Sequence, residues 1–261
     1  MQEVTFNFTG KNFAVVGASS GIGKQVTLEL LQAGANVLAV ARRKELMDEI
    51  YKDYPAQIVT AKLDVANYDG WNDILKSFVA EKGKFNGSVY CAGIGTPIAL
   101  KSIEIDDLQS VMNTNFFGAV MFMKKFIRAV NTNSGSSNVW ISSVAAYVGT
   151  RGLINYEASK GAMTAAKRSI ACEIANKKHR LNTVSPAWVE TPLTSEFNIR
   201  MSEGLAKEVS NRYILGRIGK PDDISGMILF LLSDRASWMT GTDIIIDGGS
   251  LTGGGMSYEM H

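Results

Sequence analysis

The sequence predicts an α/β fold: a doubly wound parallel sheet of about seven strands with helices on both faces. Short apolar runs alternate with helical patterns along the chain, and the first run leads directly into a glycine turn. Several runs also end in polar or glycine residues, at the edge where such sheets bind ligands. The 261 residues suffice for one large domain with a substantial core, and no break in composition divides them. A single unit over 1–261 is expected.

Phe13-Ala-Val-Val16 is the first strand, and Gly17-Ala-Ser19-Ser20-Gly21-Ile22-Gly23 follows it before the helical pattern Val26, Leu28, Leu30, Leu31. Gly17 permits a tight turn, Gly21 lets the backbone approach a pyrophosphate, and Gly23 allows close helix packing. The helix N-terminus supplies N–H groups to the anion. This strand, turn and helix together read as a Rossmann-type dinucleotide site. The second strand, Ala35 to Ala41, runs into Arg42-Arg43, where an NAD-preferring site would place an acid for the ribose hydroxyls. Two arginines suit a 2′-phosphate instead, so NADP(H) is favoured over NAD(H).

Gln57 to Leu63 forms the third strand, ending in Asp64-Val65, and Gly87 to Cys91 the fourth, ending in Ala92-Gly93. A long helical pattern from about Ile105 to Val130 contains Asn115. The polar, uncharged stretch Asn131 to Ser137 reads as a loop before the strand Asn138 to Ser143. Arg180 to Ser185 is a sixth strand, ended by Pro186, and Asp243 to Asp247 a seventh. The basic cluster Lys177-Lys-His-Arg180 reads as a solvated turn whose cations suit the preceding helix dipole.

That preceding helix begins with Tyr156-Glu-Ala-Ser-Lys160 and continues through Met163, Ala166, Ile170 and Ile174. Four residues apart on a helix, the tyrosine and lysine share one face. A phenol titrates near 10, so proton transfer near pH 7 requires about 4 kcal/mol of phenolate stabilisation, and an ammonium one turn away is a source. Alone, such a pair recurs on many amphipathic helices.

Composition limits the partners. Twenty-seven basic and twenty-five acidic residues leave a charge of +2, with no basic block for nucleic acid. The longest purely apolar run, Met227 to Leu232, is too short to span a bilayer. Two cysteines, Cys91 and Cys172, and two histidines give neither a disulfide framework nor a metal-ligand spacing. A soluble cytoplasmic protein with no metal, nucleic-acid or membrane partner is expected.

Taken together, Gly17-x-x-x-Gly21-Ile22-Gly23, Ala92-Gly93, Asn115, Ser143, Tyr156, Lys160, Pro186 and Thr191 resemble the short-chain dehydrogenase/reductase family over nearly the whole chain. The serine-to-tyrosine step, 156 − 143 = 13, is its most specific feature and selects Ser143 over Ser142. The segments Leu215 to Ile224 and Thr242 to Gly249 are similar to the branch containing 3-oxoacyl-carrier-protein reductases. Three places depart from the family pattern: Val16 stands for its Thr, Tyr90-Cys91 for its Asn-Asn, and Pro186-Ala187 for its Pro-Gly. Packing is expected to replace hydrogen bonding at the first two.

The resemblance implies metal-free hydride transfer between nicotinamide and a carbonyl or secondary alcohol of a small molecule. Tyr156 would be the general acid or base, Lys160 would lower its pKa and bond the ribose, and Ser143 would orient the substrate oxygen. Asn115 would hold a water that supplies protons through Lys160. The cofactor would lie along Gly17, Ser19, Ser20, Gly21, Ile22, Gly23, Arg42, Arg43, Asp64, Val65, Ala92, Gly93, Pro186, Val189 and Thr191, together with Tyr156 and Lys160. A substrate lid is implied at about 190–213, with Ile94, Ala145, Tyr147 and Trp188 as pocket candidates, and a homotetramer or homodimer as the assembly. Two alternatives are a 3-oxoacyl-carrier-protein reductase of fatty-acid synthesis and a catalytically silent dinucleotide-sensing protein. Intact Tyr156, Lys160 and Ser143 disfavour the second.

Overall fold

The structure is a computed structural model that describes residues 5–198 and 213–252. Its centre is a seven-stranded sheet in the order β3-β2-β1-β4-β5-β6-β7, every pairing parallel. The strands are β1 (Asn12–Val16), β2 (Asn36–Ala41), β3 (Ile58–Lys62), β4 (Phe85–Tyr90), β5 (Thr132–Ile141), β6 (Arg180–Pro186) and β7 (Asp243–Ile246). Helices α1 (Gly21–Gln32), α2 (Lys44–Ile50), α3 (Trp71–Lys82), α4 (Ile105–Met112), α5 (Gly118–Phe126), α6 (Ile154–Ile174), α7 (Pro192–Asn198) and α8 (Pro221–Leu232) follow in chain order.

Two cores form because successive strand residues point to opposite faces. In β1, Phe13 and Val15 enter one core with Val26 and Leu30 of α1 and Ile228 of α8. Ala14 and Val16 enter the other with Trp71 and Phe78 of α3, Phe122 of α5 and Met163 of α6. All five β1 residues are buried, and Phe13 to Val16 reads as a continuous apolar run. The order of strands reverses between β1 and β4, and that switch point opens a crevice at their C-terminal ends.

Several boundaries differ from the sequence-based expectation. The helical pattern from 105 to 130 is three pieces: α4, a π-helical turn at Asn113–Phe117, and α5, which stops at Phe126. The expected loop 131–137 is mostly strand. Thr132 already pairs with Phe85, and an irregularity then brings Ser137 opposite Gly87, so extra β5 residues are accommodated without breaking the ladder.

The basic cluster divides in two. Lys177 and Lys178 are exposed, but His179 and Arg180 are buried. The Arg180 guanidinium donates to the carbonyl oxygens of Ser233 (3.0 Å) and Met239 (3.3 Å), which replaces its lost water.

Packing does not simply replace hydrogen bonding at Tyr90. Its buried hydroxyl donates to the Thr114 carbonyl at 2.7 Å, tying the end of β4 to the π-helical turn that carries Asn115. A Cβ on Gly118 would stand 2.4 Å from that hydroxyl, which gives the glycine its reason.

Candidate active site

The glycine turn fits a dinucleotide by geometry. Gly17 has φ +87°, and a Cβ there would lie 2.6 Å from the Ala92 nitrogen; a Cβ on Gly23 would lie 2.3 Å from the Gly17 oxygen. Gly21, at φ +54°, faces Thr191 Cγ2 at 3.0 Å from its notional Cβ, bringing the β6-to-α7 connection over the turn. No side chain caps the start of α1, and its first turn holds no acid. Its uncapped N–H groups are therefore available to a phosphate.

Arg43 donates from Nη2 to Ser19 Oγ (2.9 Å) and Ser20 Oγ (3.1 Å), joining the end of β2 to the glycine turn. Behind it, the Tyr51 hydroxyl donates to the Ala18 carbonyl at 2.5 Å. Sequence reading missed Tyr51, which looks like one apolar-face residue among many. Burial pushes its phenol far above the ordinary range.

The cleft runs from this turn across the switch point to α6. Its walls include every residue expected to hold cofactor, together with Ser143, Tyr156 and Lys160. Cys91, Thr114 and Ile141 also line it and were not anticipated. Ile94 lies in the cleft, whereas Trp188 lines a second, smaller cavity with Tyr213 and Leu215. Tyr147 turns its hydroxyl to Asp243 at 2.5 Å. Of the expected lid, α7 covers 192–198, and 199–212 lies outside the described residues.

At the α6 end, Ser142 and Ser143 separate by function of place. The Ser142 hydroxyl is buried against α6, bonded to the Lys160 carbonyl (3.1 Å) and Thr164 (2.8 Å). The Ser143 hydroxyl lies near enough to the Tyr156 phenol to hold its pKa down, and it donates a long bond (3.4 Å) to the Pro186 carbonyl. It also accepts from the Ala145 N–H at 3.1 Å. Lys160 is 4% exposed and donates to the Ile141 carbonyl at 2.8 Å, its Nζ lying 5.5 Å from the centroid of the Tyr156 ring.

The electrostatics depart from expectation. Burial raises the Tyr156 phenol to about 12, opposed by the nearby Ser143 hydroxyl. Burial also lowers the Lys160 ammonium to about 8, opposed by the nearby Cys91 sulfur. Desolvation outweighs the pair's mutual effect because Nζ sits over the ring rather than at the phenolic oxygen.

Asn115 is fully buried, and both hydrogens of its side-chain amide are engaged. Its Oδ1 accepts from the Ile94 N–H (2.8 Å), and its Nδ2 donates to the Ile94 carbonyl and to Ser159 Oγ (both 2.9 Å). Both amide hydrogens are used, so the side chain pins the cleft wall instead of offering a donor to water.

A family model described as enoyl-(acyl carrier protein) reductase matches residues 17–250. The 3-oxoacyl-(acyl-carrier-protein) reductase FabG of Thermotoga maritima is 33% identical over 243 residues, covering 92% of this chain and 97% of that one. The chain belongs to the short-chain dehydrogenase/reductase family.

Solved structures of the same family superpose closely. A short-chain dehydrogenase/reductase from Brucella melitensis, described as glucose/ribitol dehydrogenase, matches with a TM-score of 0.88 at 30% identity, covering 97% of this chain and all of that one. ElxO with NADP bound matches with a TM-score of 0.85 at 28% identity, covering 93% and 99%. As a short-chain dehydrogenase/reductase of the FabG-like branch, the protein is an oxidoreductase acting on C=O or CH–OH groups with a nicotinamide cofactor. Among the described residues, no helix is long and apolar enough to cross a membrane.

Proposed function

We propose that the protein transfers a hydride between NADP(H) and a carbonyl or secondary alcohol of a free small molecule, with Tyr156 as general acid in reduction and general base in oxidation. The observation that carries this reading is the convergence of Tyr156, Ser143 and Lys160 on the cleft whose far end is the glycine turn. When bound, the nicotinamide supplies or accepts the hydride.

The chain's own residues manage the proton and the orientation. A phenol held at about 12 is protonated at neutral pH and ready to donate as a carbonyl oxygen gains charge. Ser143, beside the phenol, has one hydroxyl hydrogen, now on a long bond to the Pro186 carbonyl, that can turn to the substrate oxygen and set its distance from Tyr156. Lys160 donates to the Ile141 carbonyl and weakly to Met163 Sδ (3.9 Å), which leaves a third N–H to offer a ribose hydroxyl. Its charge also favours the phenolate once proton transfer begins. Asn115 acts through Ile94 and Ser159, whose hydroxyl donates to the Tyr156 carbonyl at 2.7 Å.

Arg43, poised against Ser19 and Ser20, supports the preference for a 2′-phosphate, as does NADP in the related ElxO. Carrier-linked substrates are the second reading, favoured by the name of the Thermotoga relative. Self-association into a homodimer or homotetramer belongs to the proposal as well. β7 is an edge strand whose Ile245 is 44% exposed, and Trp238 just before it is 99% exposed.

The test is Tyr156→Phe. It should retain cofactor affinity and lose at least about a hundredfold in turnover on whichever carbonyl or alcohol the wild type accepts. Single-turnover hydride transfer within a few-fold of wild type would remove Tyr156 from the reaction.

A further inference from the structure

The wall opposite the Tyr156 ring contains a glycine whose backbone gives no reason for it. Gly95 is not among the glycines with positive φ. What excludes a side chain is the ring: a Cβ on Gly95 would stand 2.8 Å from Tyr156 Cδ2, 3.2 Å from Cγ and 3.4 Å from Cε2. Those are atoms of a rigid ring, so relief requires movement of the ring or of the wall.

The wall is held on both sides of Gly95. Before it, Asn115 bonds both the N–H and the carbonyl of Ile94, much as a neighbouring strand would. After it, Asn155 Nδ2 donates a longer bond (3.4 Å) to the Thr96 carbonyl. Further on, the Ile98 N–H donates to the Gly152 carbonyl at 2.8 Å, in the segment leading into α6.

Asn155 also reaches the tyrosine directly. It is 1% exposed, and its Oδ1 accepts from the Tyr156 N–H at 2.7 Å. That N–H lies in the first turn of α6 and has no intrahelical acceptor. A single amide thus ties the wall and the helix start together, so the wall cannot retreat without disturbing the residue it faces.

We infer that Gly95 and Asn155 are positioning residues for Tyr156: the side-chain-free wall at Gly95 sets the plane of the ring, and Asn155 locks that wall to the backbone of the tyrosine. This rests on the role proposed for Tyr156. Restoring an ordinary 3.4 Å contact to a methyl at position 95 needs a shift of about 0.6 Å (3.4 − 2.8). Displacements of this order at a reacting group cost roughly tenfold or more in rate.

The experiment compares Gly95→Ala and Asn155→Ala with wild type and Tyr156→Phe, measuring kcat, KM, cofactor affinity by titration and the pH profile of oxidation. Gly95→Ala should lower kcat roughly tenfold or more and leave cofactor affinity within about twofold, because the glycine turn is untouched. The pH at half-maximal oxidation should move upward as the ring leaves the Ser143 hydroxyl, whose proximity holds the phenol down. Asn155→Ala, which adds no atoms, should show the same signature and serves if Gly95→Ala fails to fold. Wild-type kcat in either folded variant, an unmoved pH profile, or a loss confined to cofactor affinity would overturn the inference. An active Tyr156→Phe would instead overturn the role of Tyr156 itself.

Discussion

The Lys160 ammonium lies 5.5 Å from the centroid of the Tyr156 ring and is anchored by a 2.8 Å bond to the Ile141 carbonyl. The cation therefore faces the π surface, and both groups pay for burial: the phenol rises to about 12 and the ammonium falls to about 8. Burial thus makes the phenol hold its proton more tightly and the ammonium release its own more readily.

A stability prediction follows from the lysine. Its folded pKa is below the unfolded value of 10.5, so between about pH 8 and 10.5 the unfolded state binds more protons and stability rises with pH. Below pH 8 the burial cost is fully present, at most about 3 kcal/mol. Lys160→Met relieves it and leaves the Ile141 carbonyl unpaired, an offset of about 1–3 kcal/mol. Urea denaturation should therefore show the variant's stability relative to wild type falling by about 3 kcal/mol from pH 7 to pH 10. A difference independent of pH would mean that Lys160 is not buried as a cation.

Arg43 carries the cofactor prediction. A well-placed charge-assisted bond is worth about 1.5–3 kcal/mol, so Arg43→Ala should weaken NADPH roughly ten- to a hundredfold and NADH far less. Arg42 has no comparable tie to the glycine turn, and Arg42→Ala should cost less. Fluorescence titration with both reduced cofactors checks this. Equal or tighter NADH binding to wild type would reject the 2′-phosphate preference.

Tyr51 should behave differently, because it supports the turn from behind. Tyr51→Phe keeps the ring and removes the bond to the Ala18 carbonyl. Affinity for NADPH and NADH should fall by the same factor, roughly three- to tenfold, the range of one ordinary hydrogen bond, with kcat unchanged. Unaltered affinities with a lower melting temperature would assign Tyr51 to stability alone.

Arg43 and Tyr51 also mark the limit of what the sequence disclosed. The strands, the glycine turn and the α6 pair were legible because each has a local pattern: a short apolar run, glycine spacing, or two side chains one helical turn apart. Tyr51, Gly95 and the Tyr90 to Thr114 bond act across 24 to 61 positions of chain, where no local period announces them. Arg180 was misread for the same reason, since its acceptors at Ser233 and Met239 lie far along the sequence. The raised phenol pKa was missed because spacing gives proximity but not desolvation.

Arg180 bears on the last prediction, that the substrate is free rather than linked to a carrier protein. An acidic carrier needs a basic patch at the pocket mouth, acting through association rate and salt dependence. The resemblance to carrier-protein reductases implies one arginine in the stretch 131–137 that follows the Asn115 helix and another late in α6. Here Ser134 stands in the first stretch, its hydroxyl bonded to the Lys177 carbonyl at 2.6 Å, so the two halves of the would-be patch touch with no cation from the first. Arg180 turns inward, leaving Lys177 and Lys178 as the exposed charges of the second. Activity on an oxoacyl-carrier-protein should then be no better than on the matching short thioester, with little dependence on salt. A preference for the carrier-linked form above about tenfold, roughly 1.4 kcal/mol, that fades in salt and in Lys177→Glu would show that two lysines suffice for docking and reverse the assignment.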